Sequence, residues 1–259
     1  MIAAKGSTGA RIWSDECSPD LTFTDGDVGI VPVGAVEQHG PHLPTGTDTI
    51  IAEWLCRAAS SQTGAIVLPS IAVANSQGHG VGLPGTFSLG PELLTKTVEL
   101  YAKWAATSGL TRLLFINAHL GNAAAMGVAL DNIRFHRPDL RAGVVDWWKA
   151  TPDLWTLASG DGEDFHANKA ETSVMLFITP QTVRTERMGS ADDPDRTSEL
   201  VFRYTAPSLS RNGVTGRPSE ADSAFGEHLL DLAVTAICAR IQQGRTEAPP
   251  LGEAPTPQV

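Results

Sequence analysis

Short, continuously apolar segments alternate with longer segments of helical periodicity along most of the chain, and this alternation constrains the fold more than any other feature. Buried strands are predicted at residues 29–36, 65–74, 112–119 and 142–148. Helices are predicted at residues 48–61, 91–108, 122–136, 170–179 and 221–242. Strands that alternate with helices form βαβ units, in which helices cover both faces of a mainly parallel sheet. The predicted fold class is therefore α/β.

The length and the distribution of polar residues indicate how many domains to expect. The chain has 259 residues, a length that one large domain can account for. Residues 1–243 are predicted to form that single domain. Residues 244–259 are rich in proline and have no hydrophobic period, so they are predicted to be a disordered tail.

Charge and hydropathy exclude several classes of partner. A formal net charge of −10 argues against binding to nucleic acid, whose phosphates require clustered Lys and Arg. The chain has no apolar run close to the roughly 18 residues of a membrane span, and its N-terminus lacks the apolar core of a signal peptide. The three cysteines form no CxxC pair and fit free thiols in a reducing compartment. We therefore expect a cytoplasmic protein that binds neither nucleic acid nor membrane.

Carboxylates and imidazoles follow the predicted strands at the positions where a parallel sheet binds its ligands. They lie after the first strand, after the third strand, and before the helix near residue 170: Glu37, His39, His42, Asp48, His119, His166 and Glu171. Taken singly, a strand-end histidine is more often a hydrogen-bonded structural residue, and Asp48 is more often a helix cap. Their joint occurrence favours a metal site, and nitrogen with oxygen ligands suits Zn, Mn or Fe.

Five motifs within residues 31–224 read VPVGAVEQHGPHLPTGTDT, LPGTFSL, INAHLGN, HANKAETSVML and GVTGRP. Together they resemble the creatininase family of metal-dependent amidohydrolases. The segment ETSVMLFITPQTVRTERM is also similar to the branch of the family that trims the mycofactocin precursor. The resemblance implies a three-layer α/β/α fold, one or two divalent metal ions, and a homo-oligomer, often a hexamer built from dimers.

The resemblance also implies roles for individual residues. Glu37, His39, Asp48 and His119 match the metal ligands, with Asp48 bridging two ions. Glu171 matches a further active-site carboxylate that either contacts the second ion or orients a ligand. His166 matches the histidine that transfers a proton to the departing nitrogen. The implied reaction is cleavage of a C–N bond in a small-molecule amide, a formamide or a short peptide.

The chain departs from creatininase itself at one informative position. Gly121 stands where creatininase has a metal-binding glutamate two residues after its histidine, so creatinine is a poor guess for the substrate. The predicted substrate-contacting residues are His79, Gly80, Asn122, Trp148 and Lys169. Two of them have a second interpretation: Trp148 could serve packing, and Lys169 could be a solvated residue at the start of a helix.

Three other functions stay open from the sequence alone. The protein could be a mycofactocin-type precursor peptidase, a hydrolase of a keto-sugar or cyclitol that uses the same metal site, or a regulatory protein that kept the fold without catalysis. The last of these is less favoured because the four best ligands are all present.

Overall fold

The computed structural model describes residues 9–252 and contains, within that range, a five-stranded parallel sheet with strand order β1-β3-β2-β4-β5. The strands are β1 (Arg11–Ile12), β2 (Val28–Val33), β3 (Ile66–Val67), β4 (Arg112–Asn117) and β5 (Arg141–Asp146). The helices are α1 (Thr47–Thr63), α2 (Pro91–Thr107), α3 (Ala123–His136), α4 (Pro152–Ala158), α5 (Lys169–Ile178), α6 (Thr185–Met188), α7 (Ala206–Leu209) and α8 (Ser223–Thr246).

Helices cover both faces of the sheet, because side chains of the central strands alternate between two apolar clusters. Ile30 and Ile116 belong to the cluster beneath α1, α4, α5 and α8. Val31 and Phe115 belong to the cluster beneath α2 and α3. Strand residues that are apolar on both faces are the signature of a fully buried parallel sheet. The predicted three-layer α/β/α architecture is confirmed.

The observed elements differ from the predicted ones where sequence periodicity is weak. Regular pairing of β3 ends at Val67, and Pro69, which has no amide hydrogen to donate, interrupts the strand predicted at 65–74. Strand β1 and the short helices α4, α6 and α7 were not predicted, since each is too brief to show a period.

The last helix ends at Thr246 rather than at residue 242. Its end is tied to the sheet by Arg112, whose guanidinium donates to the carbonyls of Gly244 and Glu247 at 3.0 and 2.8 Å. Residues 244–246, which were predicted to belong to the tail, are therefore the end of this helix, and the tail residues 253–259 lie outside the described range. None of the helices in the described part combines the length and apolarity needed to cross a bilayer.

The parallel sheet determines where polar residues gather. β2 and β4 run in the same direction with Val33 opposite Asn117, so their carboxyl ends lie side by side. The segment carrying Glu37 and His39 leaves β2 at this edge, and His119 leaves β4 beside it. Asp48 lies in the first turn of α1, which packs against β2.

Helices α5 and α8 pack closely at Gly226, and this predicts an unusual response to a Gly→Ala substitution. A Cβ at Gly226 would overlap the carbonyl group of Ser173. We expect Gly226→Ala to destabilise the protein by about 1–3 kcal/mol through overpacking, measured as a lower melting temperature. Gly127→Ala in α3 is the matched control, because open space surrounds that position and alanine there gains about 1 kcal/mol of helix propensity. A melting temperature of Gly226→Ala at or above the wild-type value would contradict this packing.

Candidate metal centre

Six of the predicted site residues meet in one buried cluster at the carboxyl edge of the sheet: Glu37, His39, Asp48, His119, His166 and Glu171. Their nitrogen and oxygen atoms form three overlapping sets, each with one ligand atom per residue and all of those atoms within 4.8 Å of one another. The sets are Glu37–His39–His166, Glu37–Asp48–His119 and His39–Asp48–Glu171. Asp48 is shared by the last two sets.

The tautomer of His39 follows from its hydrogen bond to the backbone. Its Nδ1 lies 3.2 Å from the carbonyl oxygen of Glu37, which can only accept, so Nδ1 carries the hydrogen. Nε2 is therefore bare. It faces Asp48 Oδ1 at 3.1 Å and Glu171 Oε2 at 4.0 Å.

His119 also carries its hydrogen on the ring nitrogen that faces a backbone carbonyl. Its Nε2 lies 2.9 Å from the carbonyl oxygen of Asn75 and 3.2 Å from Glu37 Oε2, so the hydrogen is on Nε2 and is directed at the closer carbonyl. The bare Nδ1 faces Asp48 Oδ2 at 3.4 Å.

His166 is oriented by Gln38. Gln38 Nε2 lies 3.1 Å from the Gly213 carbonyl oxygen, 3.1 Å from His79 Nδ1 and 2.9 Å from His166 Nε2. The backbone carbonyl of Gln38 lies as close to the same His166 nitrogen and can only accept a hydrogen bond. His166 Nε2 therefore donates to the backbone carbonyl of Gln38 at 2.9 Å. The bare Nδ1 of His166 faces Glu37 Oε1 at 3.3 Å.

The ring nitrogens of His39, His119 and His166 that carry no hydrogen thus point at carboxylate oxygens. Each of these contacts sets one hydrogen-bond acceptor against another. Glu37 Oε1, Glu37 Oε2 and Asp48 Oδ2 are buried and have no hydrogen-bond donor. Buried polar atoms without partners are rare in folded proteins, and a cation between them would satisfy both kinds of ligand. A ring that donates one N–H to a carbonyl and turns its other nitrogen inward is the usual orientation of a metal-binding histidine. These residues fit divalent ions such as Zn, Mn or Fe.

The electrostatics of the cluster lead to the same conclusion. Burial, followed by the neighbouring Asp48, raises the pKa of Glu37 well above its usual range. Burial raises the pKa of Asp48 strongly and that of Glu171 to about 8. Burial also lowers the pKa of His119 to about 3. The protein alone would thus keep its acids protonated, whereas positive ions would favour the ionised carboxylates.

Glu171 takes its place in the cluster through the start of α5. The Asn168 side chain caps the helix by accepting from the Glu171 N–H at 3.1 Å, and the Ala167 N–H donates to Glu171 Oε2. Gly121 cannot carry a carboxylate with this backbone, because a Cβ there would overlap the His119 ring and the Asn75 carbonyl. Glu171 is therefore the third carboxylate of the described cluster.

The predicted substrate-contacting residues separate into two groups. His79 lies at the cluster: its ring centroid is 4.3 Å from that of His166, and its Nε2 is 3.9 Å from Glu37 Oε1. Gly80 follows it in the same loop.

Asn122, Trp148 and Lys169 do not reach the cluster. Asn122 braces the backbone, donating to the Gly34 carbonyl and to Asn117 Oδ1 and accepting from the Asn75 N–H. Trp148 is fully buried and stacks on Phe165 at 5.7 Å, which is the packing role that the sequence left open. Lys169 lies over the Phe225 ring, and its Nζ is 3.7 Å from Glu220 Oε2. Its charge therefore interacts with these two side chains at the start of α5 and not with the cluster.

Sequence reasoning missed Gln38. It lies between Glu37 and His39, and strand alternation would direct it away from both. Its side chain nevertheless connects His79 to the Gly213 carbonyl, while its Oε1 accepts from the Gly40 N–H at 3.1 Å. Gly213 has a positive φ and no room for a side chain beside Gln38. The motif GVTGRP, which contains this glycine, was the available signal.

A cavity of about 630 Å³ opens beside the cluster. His79, His119 and His166 line its inner end. Its outer walls come largely from the segment 197–209, which is irregular apart from α7 and has no sequence period: Leu200, Phe202, Arg203, Tyr204 and Leu209. Asp164 also lines the cavity, and burial together with the nearby Asp195 raises its pKa to about 6.

Two aspartates hold the segment 197–209 over the cavity. Asp193 accepts from the Arg196 guanidinium at 2.6 Å, the Arg211 N–H at 2.8 Å and the Ser210 hydroxyl at 2.9 Å. Asp195 accepts from the backbone N–H groups of residues 163 and 164. These contacts fix an otherwise irregular wall.

The stability that Asp193 supplies should depend on pH. The hydrogen bond from Arg196 is the main reason that its pKa is lowered from 3.8 to about 2. A lowered pKa stabilises the fold above the unfolded value and loses that effect as pH falls through the folded value. We expect Asp193→Asn to lower the melting temperature at pH 6, and the difference from wild type to shrink between pH values of about 4 and 2. A difference that stays constant with pH would contradict this role.

Comparisons with known proteins agree with this geometry. Residues 18–241 match the family described as Creatininase: Creatinine amidohydrolase. A mycofactocin precursor peptide peptidase of Mycolicibacterium smegmatis is 33% identical over 223 residues, covering 83% of this chain and 84% of the relative. A creatinine amidohydrolase of Pseudomonas putida is 29% identical over 238 residues, covering 85% and 90%.

The fold comparison gives the same family. A solved structure described as a creatinine amidohydrolase (creatininase) superposes with a TM-score of 0.78 at 26% identity, covering 93% of this chain and all of that one. The resemblance seen in the motifs and the prediction of a hydrolytic enzyme are therefore confirmed. The chain belongs to the creatininase family of metal-dependent amidohydrolases.

Proposed function

We propose that this protein hydrolyses an amide bond in a short peptide. The observation that carries the proposal is the cavity of about 630 Å³ beside the cluster, which a small cyclic amide such as creatinine would fill only in part. Its walls present apolar and aromatic side chains with one arginine, as suits a peptide with a bulky residue near the cleaved bond. The identity of 33% to a precursor peptide peptidase supports the same substrate class.

The ligand sets support two metal positions that share Asp48. Glu37 and His119 would complete one position, and His39 and Glu171 the other. Glu171 would thereby replace the carboxylate that Gly121 cannot supply. Divalent ions held there would lower the pKa of a bound water towards about 7 and polarise the amide carbonyl.

His166 and His79 are placed to handle protons. In hydrolysis the oxygen of water bonds to the carbonyl carbon, the C–N bond breaks, and the nitrogen leaves as an amine with an added proton. The bare Nδ1 of His166 can accept a proton from water and pass it to that nitrogen, a role that typically contributes about 10²–10⁴-fold. His79 Nδ1 lies 3.1 Å from Gln38 Nε2, and a hydrogen donated there by Gln38 would leave the N–H of His79 on Nε2, where it could donate to the substrate.

The predictions of a homo-oligomer, of a hexamer and of a cytoplasmic location stay predictions. The choice among Zn, Mn and Fe also stays open, since all three accept nitrogen and oxygen ligands.

The proposal is tested by assaying the metal-loaded protein against three substrates: short peptides with aromatic or branched residues, creatinine, and a keto-sugar. We expect peptide cleavage that is abolished by a chelator and restored by added metal, with kcat/KM on peptides far above that on creatinine. Activity confined to creatinine or to the keto-sugar would overturn the proposal.

Two substitutions separate substrate binding from proton transfer in that assay. Phe202→Ala should raise KM for an aromatic peptide by about tenfold with little change in kcat, because an apolar wall is lost. Val201→Ala is the matched control, since Val201 is exposed but does not line the cavity.

His166→Ala should lower kcat by at least about 10² while bound metal, measured by elemental analysis, is retained. Loss of metal from His166→Ala would make this residue a ligand instead.

A further inference from the structure

Strand β5 lies at one end of the sheet, and its outer edge has no paired strand in the described part of the chain. Its inner side pairs with β4, and the Arg141 N–H donates to the carbonyl of Thr111, just before β4, at 2.9 Å. Because the backbone groups of successive strand residues point to opposite sides, those of Ala142, Val144 and Asp146 point outward. These outward N–H and C=O groups form no hydrogen bond within the described residues. An unpaired edge of this kind is a template for another strand.

Two adjoining cavities follow this edge along its length. The first, of about 250 Å³, lies along residues 140–143, and the second, of about 390 Å³, lies along residues 144–146. Both are lined by Leu114, Gly244 and Glu247, so they form one continuous depression, which we call the β5 trough. Helix α3 lies on one side of the trough and α8 on the other. At about 3.3 Å per residue, the trough can hold an extended segment about as long as β5 itself.

The two sides of the β5 trough differ in chemistry. On the side of α3 the lining is mainly apolar and includes Leu130, Ile133 and Leu140. On the side of α8 the lining includes Arg240 and Lys149, both of which carry a positive charge. The side chains of an added strand would point alternately to these two sides. The trough therefore suits an extended segment in which apolar and acidic residues alternate.

The charge of the trough also favours an acidic occupant, although the chain as a whole carries a net charge of −10. Five basic residues line it: Arg112, Arg134, Arg141, Lys149 and Arg240. The acidic residues that line it are Asp146 and Glu247, and each already accepts a hydrogen bond at 2.8 Å, from Asn117 and Gln243 respectively. Arg240 and Lys149 have no acidic partner within the described residues. Complementary charge of this kind increases the association rate and selects the partner.

The carboxyl end of the trough lies near the metal cluster. Asp146, the last residue of β5, accepts from the side chain of Asn117 at 2.8 Å, and Asn117 Oδ1 accepts from the His119 N–H at 3.1 Å. Neighbouring strands lie about 4.8 Å apart, so a strand added to β5 would lie about 10 Å from β4. About three extended residues cover that distance.

We propose that the β5 trough binds the part of a peptide substrate that is remote from the cleaved bond, as an added strand of alternating apolar and acidic residues. The inference rests on the proposed peptide hydrolysis and adds a second contact region that selects substrates by length and charge. Backbone hydrogen bonds to Ala142, Val144 and Asp146 would supply affinity, and the alternating side chains would supply specificity.

Kinetics with peptides of two lengths test the trough. The metal-loaded protein is assayed with a short peptide that it cleaves, and with the same peptide extended at either end by a three-residue spacer and a six-residue Glu–Val repeat. We expect one of the two extensions to lower KM at least about tenfold with little change in kcat, whereas a Lys–Val repeat should not lower it. Equal KM values with and without the Glu–Val repeat would overturn the inference while leaving the proposed hydrolysis intact. Failure to cleave any peptide would overturn both.

A charge reversal in the trough tests the contact from the side of the protein. Arg240→Glu should raise KM for the extended peptide at least about tenfold and leave kcat/KM for the short peptide unchanged. Lys103→Glu is the matched control, because it makes the same charge change at an exposed helical residue that does not line the trough. The short peptide also reports whether each variant is folded. An unchanged KM of Arg240→Glu for the extended peptide would contradict binding in the trough.

Amide hydrogen exchange tests what occupies the edge of β5. The measurement uses metal-loaded His166→Ala, so that the extended peptide can bind without being cleaved. In the free protein the amides of Ala142, Val144 and Asp146 should exchange rapidly, and the extended peptide should slow all three. Slow exchange before peptide is added would show that another segment or a second copy already pairs with the edge, and would overturn the proposal. Rapid exchange that the peptide does not change would overturn it as well.

Discussion

Buried carboxylates that face the bare nitrogens of histidines are the constraint on which the rest of this structure depends. Glu37 and Asp48 present oxygens without hydrogen-bond donors to rings whose hydrogens are already directed at backbone carbonyls. Such an arrangement is unfavourable in a protein interior unless a proton or a metal ion lies between the groups. Backbone carbonyls thus determine which ring nitrogen of each histidine carries the hydrogen. The other nitrogen is left as a possible metal ligand.

The architecture explains how residues distant in sequence reach one place. Parallel strands end at one edge of the sheet, so the turns after β2 and β4 deliver ligands from two separate segments. The start of α5 adds Glu171 and His166 through a cap at Asn168 and a backbone pairing between His166 and Thr215. The wall over the cavity is irregular apart from the single turn of α7 and is held by Asp193 and Asp195.

The sequence predicted the secondary-structure elements that have a hydrophobic period and the site residues that belong to a motif. The long helices and the two central strands follow from apolar patterns, and the four predicted metal ligands follow from the motifs EQHGPHLP, TDT and INAHLGN. It did not predict Gln38 or the segment 197–209, because their roles come from contacts with residues far along the chain. Trp148, at the end of the fourth predicted strand, and Lys169, between His166 and Glu171, were predicted to contact the substrate. Trp148 instead packs on Phe165, and Lys169 forms a surface ion pair with Glu220. Position along the chain gives proximity to a site, but tertiary packing decides which atoms enter it.

The shared role of Asp48 is tested most directly by measuring bound metal in the purified protein. Asp48 belongs to two of the three ligand sets, so we expect Asp48→Asn to lose essentially all of the divalent metal that the wild type retains. Asp164→Asn is the matched control, because Asp164 lines the cavity but belongs to none of the ligand sets in the described residues. Equal metal content in the wild type and Asp48→Asn would contradict a centre built around this carboxylate.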